Sequence, residues 1–263
     1  MRIVLKNILT ICFSILLAAC MILAFAAGAN SRRVILCKKV RIEILDSLEN
    51  SFVTRSDVKT FIDREYGKYI GTPIDSLNLT KIEKIVDGRS AVLKSQAYVT
   101  KDGVLNIKVT QRKPVVRFQK PDGGFYADAE GYIFPLQKAY ASHVQVIDGN
   151  IPLAANSGYK GSIGNKAEQE WFRNVMNVVN YIENNRKWRG KVVQIHIDKN
   201  QDLIIIPREG NEIFRFGKPD EIQDKFSRME KYYTHIVPAK GQDTYKEVDL
   251  KYKEQIVCRR NRK

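Results

Sequence analysis

The chain is poor in the residues that most often carry chemistry. Of its 263 residues, three are histidine, four are cysteine and two are tryptophan. His143, His196 and His235 include no pair at i, i+4, which disfavours a zinc site on one helix face. His196 falls within Ile195-His196-Ile197, where strand alternation points it away from its isoleucine neighbours. Cys12 and Cys20 sit in an apolar N-terminal segment, and Cys37 and Cys258 stand near opposite ends of the remainder. With no Cys-x-x-Cys spacing and no clustered histidine, a metal site is not expected. Whether Cys37 and Cys258 pair in an oxidising compartment is left open by the sequence.

Other chemistry is missing as well. No Gly-x-Gly-x-x-Gly or P-loop follows a strand pattern, and the loop Gly161–Gly164 lacks the Lys-Ser/Thr that phosphate binding needs. Ser56-Asp57-Val58-Lys59 matches Ser-x-x-Lys, but the Ser-Asp-Asn and Lys-Thr-Gly elements that accompany a nucleophilic serine are absent. Its spacing fits the opening turn of a helix equally well. Asp128 and Glu130 flank Gly131, a turn pattern that does not specify an acid–base pair. The chain is therefore read as a non-enzyme without a cofactor.

One long run without charge is present. Ile8 to Ala29 contains no charged residue. As a helix it would reach about 33 Å, enough to cross a bilayer core. A cleaved secretory signal would use the small residues Ala26-Ala27-Gly28-Ala29, and a lipoprotein signal would use Leu17-Ala18-Ala19-Cys20. Length favours an uncleaved anchor, because signal cores are shorter and a lipobox cysteine should end the apolar run rather than precede Met21-Ile22-Leu23-Ala24-Phe25. The flanking charges are nearly balanced, with Arg2 and Lys6 before the run and Arg32, Arg33, Lys38 and Lys39 after it. A short basic leader before an apolar run resembles a signal-anchor, which places the long remainder outside the cytoplasm.

The composition is basic, with 44 Lys+Arg against 29 Asp+Glu and a net charge of +15. The cations are interleaved with acids, as on a solvated surface, apart from the tail Arg259-Arg260-Asn261-Arg262-Lys263. No nucleic-acid motif accompanies them, so nucleic acid is not an expected partner.

Periodicity divides the soluble part in two. Val40, Ile42 and Ile44 alternate with Arg41 and Glu43, as in a half-buried strand. Thr54 caps a helix with Val58, Phe61 and Ile62 on its apolar stripe. Leu77, Leu79, Ile82, Ile85 and Val86 predict a second helix over 74–87, ended by Gly88. Ala97-Tyr98-Val99 and Val104–Val109, joined by Lys101-Asp102-Gly103, form a hairpin pattern. The order strand, helix, helix, strand, strand is a small α+β unit. After Arg112-Lys113-Pro114 the pattern shortens. Strands are predicted over Val115–Phe118, Gly124–Ala127, Tyr132–Phe134, Val144–Ile147, Val192–Ile197, Asp202–Ile206, Ile213–Phe216, Tyr245–Leu250 and Gln255–Cys258. Two helices are predicted there: one over Glu168–Tyr181, and one over 219–236 with Pro219 at its start.

The order of these segments resembles that of the FtsQ/DivIB family of bacterial division proteins. In the first module the resemblance rests on Val40-Arg41-Ile42-Glu43-Ile44, Ile70-Gly71-Thr72-Pro73-Ile74, Gly103–Val109 and the Arg-x-Pro of Arg112-Lys113-Pro114. In the second it rests on Tyr126-Ala127-Asp128-Ala129-Glu130-Gly131, similar to a Tyr-x-Asp-x-x-Gly hairpin. Phe134-Pro135-Leu136, Val146–Ile151 and Val248-Asp249-Leu250-Lys251-Tyr252 continue it, with Lys251 where the family has Arg. The resemblance implies a cytoplasmic tail over 1–7, a transmembrane signal-anchor over 8–30, a POTRA-like β-α-α-β-β domain over 38–113, a strand-rich β domain with two helices over 114–258, and a basic tail over 259–263. It implies a type II inner-membrane protein at the division septum, with its bulk in the periplasm, linking early and late division components.

The resemblance also implies a partner, an FtsB/FtsL-like coiled-coil pair received by the last strands of the β domain. Strand addition would supply the contact. The candidate edge is Val248 to Arg259, with Val248, Leu250, Lys251, Tyr252, Lys253, Gln255, Val257 and Arg259 as partner-binding residues. Tyr252 could serve as a rigid anchor or as an ordinary packed aromatic. Lys251, Lys253, Arg259 and Arg260 could steer an acidic partner or blunt the edge. Two other classes stay open at this point: a POTRA-bearing envelope assembly factor and a membrane-anchored cell-wall enzyme. The first usually carries a long β-barrel, which the two downstream helices argue against.

Overall fold

The computed structural model describes residues 13–24, 34–48, 51–137 and 140–260. Residues 13–24 are helical (α1). The rest of the expected Ile8–Ala29 span lies outside the described residues, and among those described no helix is long and apolar enough to cross a membrane.

The first module has the order β1 (Lys39–Ile44), α2 (Arg55–Glu65), a 3₁₀ turn (Ile74–Ser76), α3 (Leu79–Asp87), β2 (Val92–Val99) and β3 (Val104–Gln111). Thr54 and Asp57 form a reciprocal capping box that starts α2, so Ser56-Asp57-Val58-Lys59 is a helix opening. Lys59 pairs with Asp63 at 2.5 Å one turn on. The helix expected over 74–87 is two pieces, because the Asn78 side chain accepts from the Lys81 amide and restarts the helix at Leu79. The sheet order is β1-β3-β2, with β1 parallel and β2 antiparallel to the central β3. Val58, Ile62, Ile82 and Val86 bury the helix stripes against Leu105, Ile107 and Val109. Phe61 is only half-buried.

The second module is a nine-stranded sheet. It comprises β4 (Pro114–Lys120), β5 (Gly123–Asp128), β6 (Ile133–Pro135), β7 (Gln145–Gly149), β8 (Val192–Ile197), β9 (Leu203–Pro207), β10 (Ile213–Gly217), β11 (Tyr245–Asp249) and β12 (Val257–Arg260). Their order is β12-β11-β10-β9-β8-β7-β4-β5-β6. Three helices belong to it: α4 (Lys166–Asn184), α5 (Ile222–Lys231) and the short α6 (Val237–Lys240). Phe172, Val175, Val179 and Ile182 of α4 and Phe226 and Met229 of α5 share one core with Phe118, Ile147, Ile195, Phe214 and Phe216 of the sheet. His196 faces the other way, its Nδ1 2.9 Å from Asp148 Oδ1, while Ile195 and Ile197 are fully buried.

Two helix boundaries differ from expectation. Pro219 does not open α5, because Glu221 adopts a left-handed φ of 45° as its N-cap and the helix begins at Ile222. The helix also runs past 236, through a π turn (Tyr232–Ile236) into α6. Pro238 has no N–H to continue an ordinary ladder. The Val237 amide instead reaches back to Tyr232 O, and the wider turn lets the helix continue across the proline.

The modules share a junction. Phe52 packs edge-on against Tyr126, Phe134 and Tyr140, with centroids 5.4, 5.7 and 4.7 Å away. Gln111 Oε1 accepts from the Val53 amide at 2.8 Å, and its own amide donates to Asp46. Arg112 bonds Asp128 at 2.8 Å and lies 3.4 Å over the Tyr132 ring. Asp128 also accepts from the Tyr132 amide, and Gly131 takes the left-handed φ of 82° that the turn requires. Asp128 and Glu130 thus shape a turn. Burial pushes the Asp128 carboxyl above its ordinary value, against the pull of the Tyr132 amide and Arg112.

Candidate functional site

The ends of the two sheets are finished differently. At β6, Ile133 and Gly161 exchange both amide bonds at 2.9 Å, Phe134 is fully buried, and Pro135 offers no donor. At β2, the Ala97 amide donates to Glu83 Oε1 at 2.7 Å, and Ser95 Oγ donates to Asp87. Just before β1, residues 35–37 bond the 72–74 segment: Ile74 N to Ile35 O at 2.9 Å and Cys37 N to Thr72 O at 2.8 Å. β12 is the bare end of the second sheet, as β1, paired with β3 alone, is of the first. Among the described residues β12 pairs with β11 alone, and Val257, Arg259 and Arg260 are exposed.

β11 runs parallel to β10 and antiparallel to β12, with Val248 opposite Cys258 and Asp249 opposite Val257. Val248 and Leu250, expected among the partner-binding residues, are fully buried in the core. Their side chains anchor the hairpin and are withdrawn from the surface, because alternation turns them inward while Asp249 and Lys251 face out. The other six sequence-predicted residues stand exposed together. Tyr252 is not in a strand. It occupies the β11–β12 turn with 55 % of its surface exposed, and is not a packed sheet aromatic. The Lys251 amide donates to Asp249 Oδ1 at 2.9 Å, and its Nζ lies 3.7 Å from Asp202. Lys253 pairs with Glu221 at 2.9 Å, which holds its pKa up. Arg259 lies 3.6 Å from Glu247, whose carboxylate also bonds Arg215 at 2.5 Å. Glu247 holds the Arg215 pKa up. Val257, beside this row, is 45 % exposed.

Arg228 escaped the sequence reading. It is buried on α5, and its Nη1 donates to Tyr252 O and, at 2.9 Å, to Gln255 O. Asp224 faces Nη2 at 2.8 Å. The turn that presents Tyr252 is thus held from beneath by a guanidinium. An arginine inside an amphipathic helix reads as a surface residue, and nothing in its spacing signals a distant carbonyl pair. Lys225 was missed for the same reason. It is buried, donates to Lys218 O at 2.8 Å, pairs with Asp220, and lies 5.0 Å over Phe216.

Cys37 and Cys258 are both free and belong to different modules. Burial raises each thiol pKa. Among the described residues no group of three or more His, Cys, Asp or Glu is placed to hold a metal ion.

A β-α-α-β-β module docked on a nine-stranded sheet that ends at the last strand, β12, defines a two-module protein of mixed α+β architecture. Comparison with known families gives that class a name. Residues 35–110 match the POTRA-like domain, and residues 113–259 match the FtsQ/DivIB, C-terminal related domain. The second match takes in more than half of the chain, which therefore belongs to the FtsQ/DivIB family, a family of non-enzymatic, membrane-anchored cell division proteins. A search of curated proteins found no match.

Proposed function

We propose that this chain is a division scaffold, anchored in the inner membrane by Ile8–Ala29, whose periplasmic β12 edge receives an extended segment of an FtsB/FtsL-like coiled-coil partner. The reading places it at the septum, joining early and late division components. The observation that carries it is the exposed β12 edge of the nine-stranded sheet, whose opposite end, β6, is closed by the Ile133–Gly161 pair. An added strand would bond the free backbone of β12, with Tyr252 at the end of the hairpin as its aromatic anchor. Lys251, Lys253, Gln255, Val257 and Arg259 would frame the contact. Arg260, without an ion pair among the described residues, and the loosely held Arg259 would favour an acidic partner segment.

Pull-down of the FtsB-like partner by the full chain tests this. Tyr252→Glu should reduce capture about tenfold or more, as loss of a buried aromatic anchor does. Arg259→Pro, which removes a strand donor, should do the same. Tyr252→Glu, in an exposed turn, should keep its unfolding midpoint near that of the parent. Unaltered capture by both would refute the edge reading.

A further inference from the structure

The end of the POTRA-like module where the chain enters exposes three apolar side chains beside several lysines. Val34 is 69 % exposed, Leu36 44 % and Ile70 41 %. Backbone pairing brings these together. Cys37 donates to Thr72 O at 2.8 Å, Gly71 donates to Cys37 O at 2.7 Å, and Lys38 donates to Gly103 O at 2.7 Å. Residues 35–38 are thereby laid between the 70–74 loop and the β2–β3 turn, with Cys37 turned into the core and Leu36 and Lys38 outward. Lysines surround the apolar side chains. Lys38, Lys39, Lys68 and Lys101 are exposed, and Lys39, Lys59 and Lys68 line one shallow depression with Ile70. The acids here are Asp63, which is paired with Lys59, Asp102, held ionised by Thr100, Lys39 and Arg41, and Asp75, exposed beside Ile74. Cations outnumber them. Gly71 and Gly103, at φ of 80° and 82°, make the two tight turns that expose this end.

Apolar side chains ringed by lysines are the composition of a membrane-interface seat: the former enter the headgroup boundary and the latter meet anionic lipid. Chain connectivity selects the same occupant. Val34 follows Ala29 so closely that the link reaches at most about 17 Å even when fully extended. If Ile8–Ala29 spans the bilayer, this end of the module cannot leave the surface.

We infer that Val34, Leu36 and Ile70, with Lys38, Lys39, Lys68 and Lys101, form a seat on anionic phospholipid that fixes the POTRA-like module against the membrane. The inference rests on the anchor reading above and adds an orientation to it: the module stands on the bilayer rather than swinging from a tether.

The test uses the full chain reconstituted into vesicles, with a photoreactive residue in place of Ile70 or, as a control on the β9–β10 turn, of Glu209. Vesicle flotation is read first, then crosslinking to phospholipid. Position 70 should label lipid at least about fivefold more than position 209 in phosphatidylglycerol-containing vesicles. The excess should fall several-fold in pure phosphatidylcholine and in a Lys68→Glu/Lys101→Glu variant. A chain that does not float would remove the anchor reading, and this inference with it. A chain that floats but labels equally at 70 and 209 would overturn the seat alone. Labelling at 70 that ignores both lipid charge and the lysines would overturn the anionic-lipid recognition.

Discussion

Arg228 and Asp128 are buried charges with opposite duties. Arg228 holds two carbonyls of the turn that presents Tyr252. Arg228→Met keeps the bulk of the side chain but leaves those carbonyls unpaired, a loss of about 2 kcal/mol. Urea unfolding should show that loss. On the proposed edge reading, partner capture should weaken further than the stability change explains, because the turn loses its shape; capture that is unchanged in the folded variant would mean that the clamp serves stability alone. Asp128 sits between Arg112 and the Tyr132 amide, and its carboxyl titrates above the ordinary value chiefly because it is buried. The folded state therefore holds this proton more tightly than the unfolded state. Its contribution to stability is greatest below the unfolded value and declines as pH rises through the folded one. The stability difference between the protein and Asp128→Asn should accordingly move in favour of the unmodified protein as pH falls from about 6 to about 4. Urea titrations across that range check this, and a difference moving the other way would contradict the burial argument.

Among the elements, β12 is short, exposed and last in its sheet. β11, with Val248 and Leu250 fully buried, ties it to the core. Much of this was legible in the sequence. Alternation in Val248-Asp249-Leu250 marked a strand, and Asp-Gly marked the β2–β3 hairpin. The period-two and helical patterns placed every strand of the second module to within a few residues. Alternation could not say which face is inward, and the Val248 and Leu250 side chains lie in the core. Nor could it foresee the π turn. Pro238 is a strong local stop signal, and only the tertiary burial of Tyr232 and the packing of Tyr233 make a register-shifted continuation worthwhile. Burial lifts the Tyr232 hydroxyl pKa to about 12. Buried cations such as Arg228 and Lys225 had no pattern to betray them, because their acceptors are distant in sequence or lie on loop backbone. The junction is the other element-level feature to emerge. Phe52, from the loop before α2, fills an aromatic pocket built by β5, β6 and Tyr140. Phe52→Ala should cost about 3 kcal/mol through lost burial and the cavity left behind. A loss under about 1 kcal/mol in thermal or urea unfolding would mean that the pocket collapses around the gap or that the junction carries little load.

For the whole molecule, the two modules are joined by more than a covalent link. Arg112 and Phe52 connect the end and a loop of the first to the first strands of the second. An orientation set at one end can therefore be transmitted to the other. If the POTRA-like module stands on lipid, the docked β domain presents β12 at a set position above the membrane. The family fixes the role in cell division, and the bare strand supplies the proposed means. The most direct measurement of that means is backbone hydrogen exchange on the full chain, alone and with the FtsB/FtsL-like coiled-coil pair. Strand addition predicts that amides in residues 257–260 slow at least about tenfold on binding, whereas that of Ile133, already closed by Gly161, does not change. Unchanged exchange in 257–260 when the partner is bound would contradict the account.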